Sequence, residues 1–280
     1  MAAFALRRLL QLPLILLVVY TATVLLLLAS PGDPLAATEK TTEQAYQAKL
    51  KRYSFDRPWY QRYYWIYPRQ LIAGGDLPSL AYSDWTVGQI MAQSFPVSLQ
   101  LGLFALVVAL LGGTTIGVLS AVARGSPLDH LSLGVALLGV SLPVFVIAEV
   151  FLILFAVVWP VLPVGGWGTP QALVLPGLTL SLPFMAYIAR LMRASMLEVL
   201  SADYIRTARA KGAAPFAVIF EHALKNSFLP ILSFLGPAAA GIFTGSFVVE
   251  KVFSIPGLGT HFVQSVLNGD QTLSLGIVLL

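Results

Sequence analysis

The 280-residue sequence has no cysteine, few charges and only three histidines, His130, His222 and His261. The first absence excludes disulfides, thiolate catalysis and Cys-ligated metals. The histidines lie far apart and no H-E-x-x-H occurs, so no metal site is expected. There is no G-x-x-x-x-G-K-[ST], so this chain has no P-loop to cradle ATP phosphates. G-x-S-x-G is also missing, and Ser141 in "GVSLP" has no evident intramembrane histidine partner. No selectivity-filter loop is visible. Charged residues make up 11% of the chain. A carrier coupled to protons or sodium would show ionisable residues inside its spans. Only Glu149 lies well inside one. These absences argue against a catalytic residue, a metal and a cofactor on this chain.

Apolar residues are abundant instead, at 57%, with a mean hydropathy of +0.81. A soluble domain of this size could not bury that much apolar surface, so the bilayer is part of the solvent. The basic balance, pI near 9.4, is then read as membrane orientation and not as nucleic-acid binding.

Leu9 to Ala29 is apolar and uncharged, preceded by Arg7 and Arg8. It is longer than the ~7–15 residues of a signal-peptide core and reads as a retained span with a cytoplasmic N-terminus. Further spans are expected at Pro96–Val122, Leu131–Trp159, Ala172–Leu191 and Leu229–Val249. A sixth apolar run starts at Leu273 and meets the chain end at Leu280, so an incomplete last helix is expected. The fold class is therefore all-α, polytopic, with six spans in the intact form. Three parts are expected: 1–29, a first helix; 30–95, an extracytoplasmic region; and 96–280, a core with a cytoplasmic loop at 192–228. The short inside segments hold Arg7, Arg8, Arg124, Arg193, Arg206, Arg209, Lys211 and Lys225, with Arg190 at a span end, whereas the short outside ones hold only Lys251. The long outside region holds seven cations, but loops beyond ~60 residues translocate largely regardless of charge.

Ala109, Gly113, Gly117 and Ala121 recur every fourth residue, as do Pro237, Gly241 and Gly245. Such stripes let helix backbones approach closely. Pro143, Pro176 and Pro183 should kink or open their helices. In the outside region, residues 41–53 read as a polar helix, and Pro58 opens another with Trp59, Tyr63, Ile66 and Tyr67 on one face. That face suits an interfacial aromatic belt or a docking surface for an external partner.

One stretch, "DYIRTARAKGAAP" from Asp203 to Pro215, interrupts the apolar pattern. Ser201 can cap a helix of roughly eleven residues, ~16 Å long, whose first turn carries Asp203 and whose last turn carries Arg209 and Lys211. Gly212 stands where a left-handed cap belongs. Pro215 starts a second helix, with Phe216, Ile219, Phe220, Ala223 and Leu224 on its apolar face. Taken alone, the first helix suits either anionic lipid or a protein groove, with Ala202, Ala208 and Ala210 permitting close approach.

"SADYIRTARAKGAAPFAVIFEHALKNSFLPIL" resembles the cytoplasmic loop of membrane subunits of binding-protein-dependent ABC importers, specifically the dipeptide and oligopeptide permease branch. "FALRRLLQLPLILLVVYTATVLLLLASPGDP", "SFPVSLQLG", "GGW" at 165–167 and "GPAAAGIFTGSFVVEKVFSIPGLG" resemble other parts of that branch, the last most closely in first subunits of oligopeptide permeases. Three features depart from it: the last span is interrupted, Pro78 in "GGDLPSL" stands where glycine is common, and Glu149 falls in a usually apolar stretch. The resemblance implies an inner-membrane permease subunit of a peptide importer, with dipeptides or nickel chelates as alternative cargo and a secondary transporter as the alternative of another class. It implies pairing with a second, different permease subunit, two cytoplasmic ATPase subunits carrying ATP and Mg, and an external peptide-binding protein. It also implies that Asp203, Arg206, Thr207, Ala208, Arg209, Lys211 and Gly212 form the helix that couples to the ATPase. Substrate-path residues stay unassigned apart from Glu149. An intramembrane carboxylate should face the bundle or water, and pairing with a partner group is the preferred role.

Overall fold

Helices of a membrane protein meet where side chains are small, and that pattern organises this chain. The computed structural model describes residues 2–30, 35, 43–73, 77–82 and 84–280. Residues 74–76 of "GGDLPSL" and 31–34 of the "SPGDP" turn lie outside them. Among the described residues no strand forms, only one antiparallel bridge between Pro78 and Thr86. Among the described residues four helices are long and apolar enough to cross a membrane: Leu10–Ala29, Val87–Val122, Pro170–Leu200 and Leu229–Val252.

The expected span Leu131–Trp159 is not one helix. Pro127–Ser141 and Val144–Val158 meet at a bend of 110°. Leu142 and Pro143 are extended, with ψ of 134° and 141°. Pro143 has no N–H to donate and disfavours helical geometry at Leu142. By contrast, Pro176 and Pro183 stay inside the continuous Pro170–Leu200 helix. The second span also begins earlier than expected, at Val87, with Pro96 inside it. A reciprocal box starts it: Gln89 N–H donates to Thr86 Oγ1 at 3.2 Å and Thr86 N–H to Gln89 Oε1 at 3.0 Å.

The chain divides into two compact units. One comprises 97–259 and is centred on Pro170–Leu200, which packs against Pro127–Ser141, Val144–Leu152 and Leu229–Val252. Both small-residue stripes face this central helix. A Cβ on Gly117 would lie 2.6 Å from the Ala189 carbonyl oxygen, and one on Gly113 2.7 Å from that of Met185. On Gly241 it would meet the Phe184 ring at 2.8 Å. Two apolar clusters fill the unit, one with Ile188, Met192, Met196 and Ile231, the other with Leu101, Leu175, Leu180 and Ile242. The turn after the Leu229–Val252 helix is tied back by buried Glu250 and Ser98. The Glu250 carboxylate accepts the Gly259 N–H at 2.7 Å, and Ser98 Oγ accepts the Leu258 N–H at 2.8 Å. These two groups satisfy the otherwise unpaired donors that begin the Leu258–Leu267 helix.

The other unit comprises 1–96 and 260–280. Within it the first helix packs against Gln271–Leu279. The aromatic segment Trp59–Ile72 contains a π-helical turn, Arg62–Ile66. That wider turn rotates the residues before it relative to those after it. Tyr63 and Tyr67 therefore turn inward and are buried, whereas Trp59 is exposed, as are Tyr60 and Trp65. The expected common face of Trp59 and Tyr63 does not form. Tyr63 instead donates its hydroxyl to Gln271 Oε1, which also accepts from Arg62 Nη2 at 2.8 Å. Tyr67 donates to the Thr272 carbonyl at 2.6 Å. Buried Asp270 caps the Gln271–Leu279 helix through the Leu273 N–H at 2.9 Å, and accepts from Ser79 Oγ and from the Ala81 N–H.

Candidate functional site

The loop between Leu200 and Leu229 holds the polar helix singled out in the sequence. The helix spans Asp203–Ala210, eight residues, or ~12 Å. It is shorter than the sequence suggests, and Ser201 does not cap it. Ala202 occupies that position without a side-chain bond, while Ser201 Oγ donates back to the Glu198 carbonyl at 2.7 Å. Ser201 closes the preceding long helix instead, and its hydroxyl is already engaged there.

The C-terminal end behaves as expected. Gly212 has φ of +85°. Its N–H donates to the Arg209 carbonyl at 2.9 Å, and the Ala213 N–H to the Ala208 carbonyl at 3.1 Å. This pair of bonds defines a Schellman cap, in which glycine is favoured because it lacks a Cβ.

The helix is anchored to its own chain by one buried side chain and one side-chain hydrogen bond. Ile205 is 0% exposed and joins the cluster of Met196, Val218, Ala223 and Ile231. Asn226 Nδ2 donates to the Tyr204 hydroxyl at 2.9 Å, tying the helix to the next segment. Asp203, Arg206, Thr207, Arg209, Lys211 and Gly212 are exposed, and Ala208 is half-buried. Ala208 sits three positions after Ile205, on the flank of the helix nearer the chain's own core. The face turned outward is that of Asp203, Arg206 and Thr207. Arg206 pairs with Asp203 at 3.3 Å, and both side chains are exposed. Such a pair adds little stability, so these groups remain free to exchange partners.

Pro215 begins the second segment, but its middle, Val218–Ala223, is π-helical. Register therefore differs from the expected 3.6-residue face. Val218, Ala223 and Ser227 are buried, while Phe216 and Phe220 point out and pack on each other at 4.3 Å.

A group not anticipated as a site lies beside this loop in the fold. Asp129, 3% exposed, accepts a bidentate pair from Arg193, Nε at 2.7 Å and Nη2 at 2.8 Å. Ser120 Oγ donates to the same carboxylate, and so does the Gly125 N–H at 2.9 Å. Four donors thus converge on one carboxylate, joining the end of Val87–Val122, the start of Pro127–Ser141 and the Pro170–Leu200 helix that leads into the loop. In the sequence Arg193 is one of the cations of the inside segments, and Asp129 is only part of the inside turn at 123–130. Nothing in the spacing pairs residues 64 positions apart. Glu149 is exposed on the surface of this chain, next to exposed Phe145, Val150 and Ile153. It does not face the interior of the chain's own bundle. Among the described residues no group of His, Cys, Asp or Glu side chains could hold a metal ion.

Comparison with known proteins bears on this architecture. Residues 113–280 match the family described as binding-protein-dependent transport system inner membrane component. The chain is 39% identical over 287 residues to the oligopeptide transport system permease protein OppB of Haemophilus influenzae, covering 100% of this chain and 92% of that protein. It is 39% identical over 283 residues to OppB of Escherichia coli K12, covering 100% and 92% respectively. Against the dipeptide transport system permease protein DppB of Bacillus subtilis it is 39% identical over 277 residues, covering 99% and 89%. With apolar helices long enough to span and a family match over more than half its length, the chain belongs to the inner-membrane components of binding-protein-dependent transport systems.

Proposed function

We propose that this chain is a permease subunit of an ATP-driven importer of oligopeptides, and that Asp203–Ala210 is its coupling helix. The observation that carries the reading is the helix itself: short, closed by Gly212, held by one buried residue, Ile205, and polar on its outward side. A lipid-facing helix would turn an apolar side outward, whereas this one buries its apolar residue inward. Two ATPase subunits bind ATP and Mg and seat the helix in a groove. A second permease subunit completes the pathway, and an external binding protein delivers the peptide. Closure of the ATPase pair displaces the loop and switches the path between outward- and inward-facing, a rigid-body transition. The N-terminus lies in the cytoplasm, as Arg7 and Arg8 favour. The OppB and DppB relatives make dipeptides the competing cargo. The test is uptake of labelled dipeptides and tetrapeptides by cells depleted of ATP with the membrane gradient kept. Uptake of tetrapeptide should cease; uptake that continues would identify a gradient-driven carrier instead.

Glu149 supports the pairing of two permease subunits. An uncovered carboxylate in hydrocarbon costs about 2.5–3.5 kcal/mol or more, so its exposed position calls for a polar cover from outside this chain. Glu149→Gln, which still hydrogen-bonds, should leave the complex assembled. Glu149→Lys should lower co-purification of the second permease subunit about fivefold, through repulsion of the cation or donor it faces. A Glu149→Gln variant with altered preference between N-acetylated and free-amine peptides would place the carboxylate on the substrate path.

A further inference from the structure

In the unit of residues 1–96 and 260–280, a cavity of about 290 Å³ is lined by Tyr82, Trp85, Ile90, Gln93, Ser94 and His261. Its walls are held in place. Tyr82 donates its N–H to Ser79 Oγ at 3.0 Å, and Trp85 its N–H to the Tyr82 carbonyl at 3.0 Å. Ile90, Gln93 and Ser94 share one face of the first turns of Val87–Val122, behind the Thr86–Gln89 box. His261 packs edge-on against Tyr82, with ring centroids 5.7 Å apart. Its Nδ1 is buried without a hydrogen-bond partner. Burial also pushes the imidazole below its usual range, so the ring is neutral at physiological pH.

Among the described residues no carboxylate, ammonium or guanidinium lines this cavity. A charged guest would meet no counter-charge among these residues. An uncharged group that stacks on Tyr82 and Trp85 and offers a hydrogen bond to His261 or Gln93 would fit. The volume is near the lower bound of small-ligand sites, ~300 Å³, and suits one large side chain rather than a whole oligopeptide.

We infer that this cavity is a subsite for one uncharged aromatic side chain of the imported peptide, with Trp85 as the stacking wall and His261 as the polar anchor. The inference rests on the peptide-importer reading above. It places a selective contact on the extracytoplasmic side, where residues 82–94 and 261 fall in the expected topology.

The test uses the complete importer in proteoliposomes, with tetrapeptides that differ at one position: Phe, Tyr, Leu, Lys or Glu. Trp85→Ala and His261→Ala should each lower the uptake ratio of Phe- and Tyr-containing over Lys-containing peptides about tenfold. Ser94→Met, which fills the cavity from a buried position, should shift the ratio the same way. A peptide carrying a benzophenone side chain should crosslink to Tyr82 or Trp85 in the unmodified importer, which keeps the test independent of whether variants fold. Unchanged ratios together with crosslinks elsewhere would overturn the subsite while leaving peptide import standing. Failure of the unmodified importer to take up any peptide would remove the importer reading, and the subsite with it.

Discussion

Gly212→Val is expected to insert into the membrane normally and to lose the ATPase subunits on purification. At φ of +85° a β-branched residue is forced out of the left-handed region, at a cost of about 1–2 kcal/mol. Among the described residues, no atom beyond the glycine and its chain neighbours lies within 4 Å of where the new Cβ would sit, so the penalty is conformational and not a clash. The chain can relieve it by unwinding the Schellman cap. That would release the bonds from Gly212 and Ala213 and tilt the outward side of Asp203, Arg206 and Thr207. On the coupling-helix proposal a bound groove would read that orientation, so peptide uptake should fall in parallel with ATPase recovery. Gly212→Asn, which tolerates the left-handed region better, should be milder. Ala208→Trp should also lose ATPase, by pushing the helix away from its own core, since Ala208 flanks Ile205 and not the outward side. Co-purification of ATPase with each variant, beside an insertion control, decides the matter. Full ATPase recovery and full uptake in Gly212→Val would make this segment a surface helix without a coupling role.

Asp129→Ala should produce the largest loss of stability of any single side-chain removal outside the apolar clusters. It strands the part-buried Arg193 guanidinium, with its side chain 22% exposed, and deprives Ser120 Oγ and the Gly125 N–H of their acceptor. The apparent unfolding midpoint in detergent should drop by at least about 5 °C. Asp129→Asn should be nearly as damaging, because its amide NH2 would face donors. A charge swap, Asp129→Arg with Arg193→Asp, should not rescue, since Ser120 and Gly125 would then donate toward a cation. Combining Asp129→Asn with Arg193→Met should recover part of the loss by removing the stranded charge. Size-exclusion thermostability of these four variants and of Arg193→Met alone measures this. Additive losses in the last pair would show that the two side chains do not interact in the folded protein.

Much was legible in the residues themselves. Long uncharged runs marked four of the apolar helices directly, since so little charge is available to solvate them. The stripes at 109–121 and 237–245 marked where helices meet, because only small residues allow that approach. Gly212 after Lys211 announced a helix end, since left-handed backbone selects glycine through local sterics alone. These features depend on residues within a turn or two of each other, which a sequence displays directly.

Other features needed the folded chain. The π-helical turns at Arg62–Ile66 and Val218–Ala223 change which side chains face inward, so Tyr63 is buried while Trp59, Phe216 and Phe220 are exposed. A 3.6-residue template carries no sign of such a shift, because the extra residue is accommodated by packing. The bend at Pro143 was foreseeable as a kink, but its size, 110°, depends on the helices that each half packs against. The convergence of Ser120, Gly125 and Arg193 on Asp129, and of Ser79, Ala81 and Leu273 on Asp270, joins groups as far as 64 and 191 positions apart. Buried carboxylates take whichever donors the tertiary packing brings near, since leaving them unpaired costs more than any local preference supplies. Sequence therefore determined the apolar helices, their close contacts and the glycine-capped end of the polar helix Asp203–Ala210. Tertiary structure alone decided the inward faces of the π-containing helices and the partners of the buried charges.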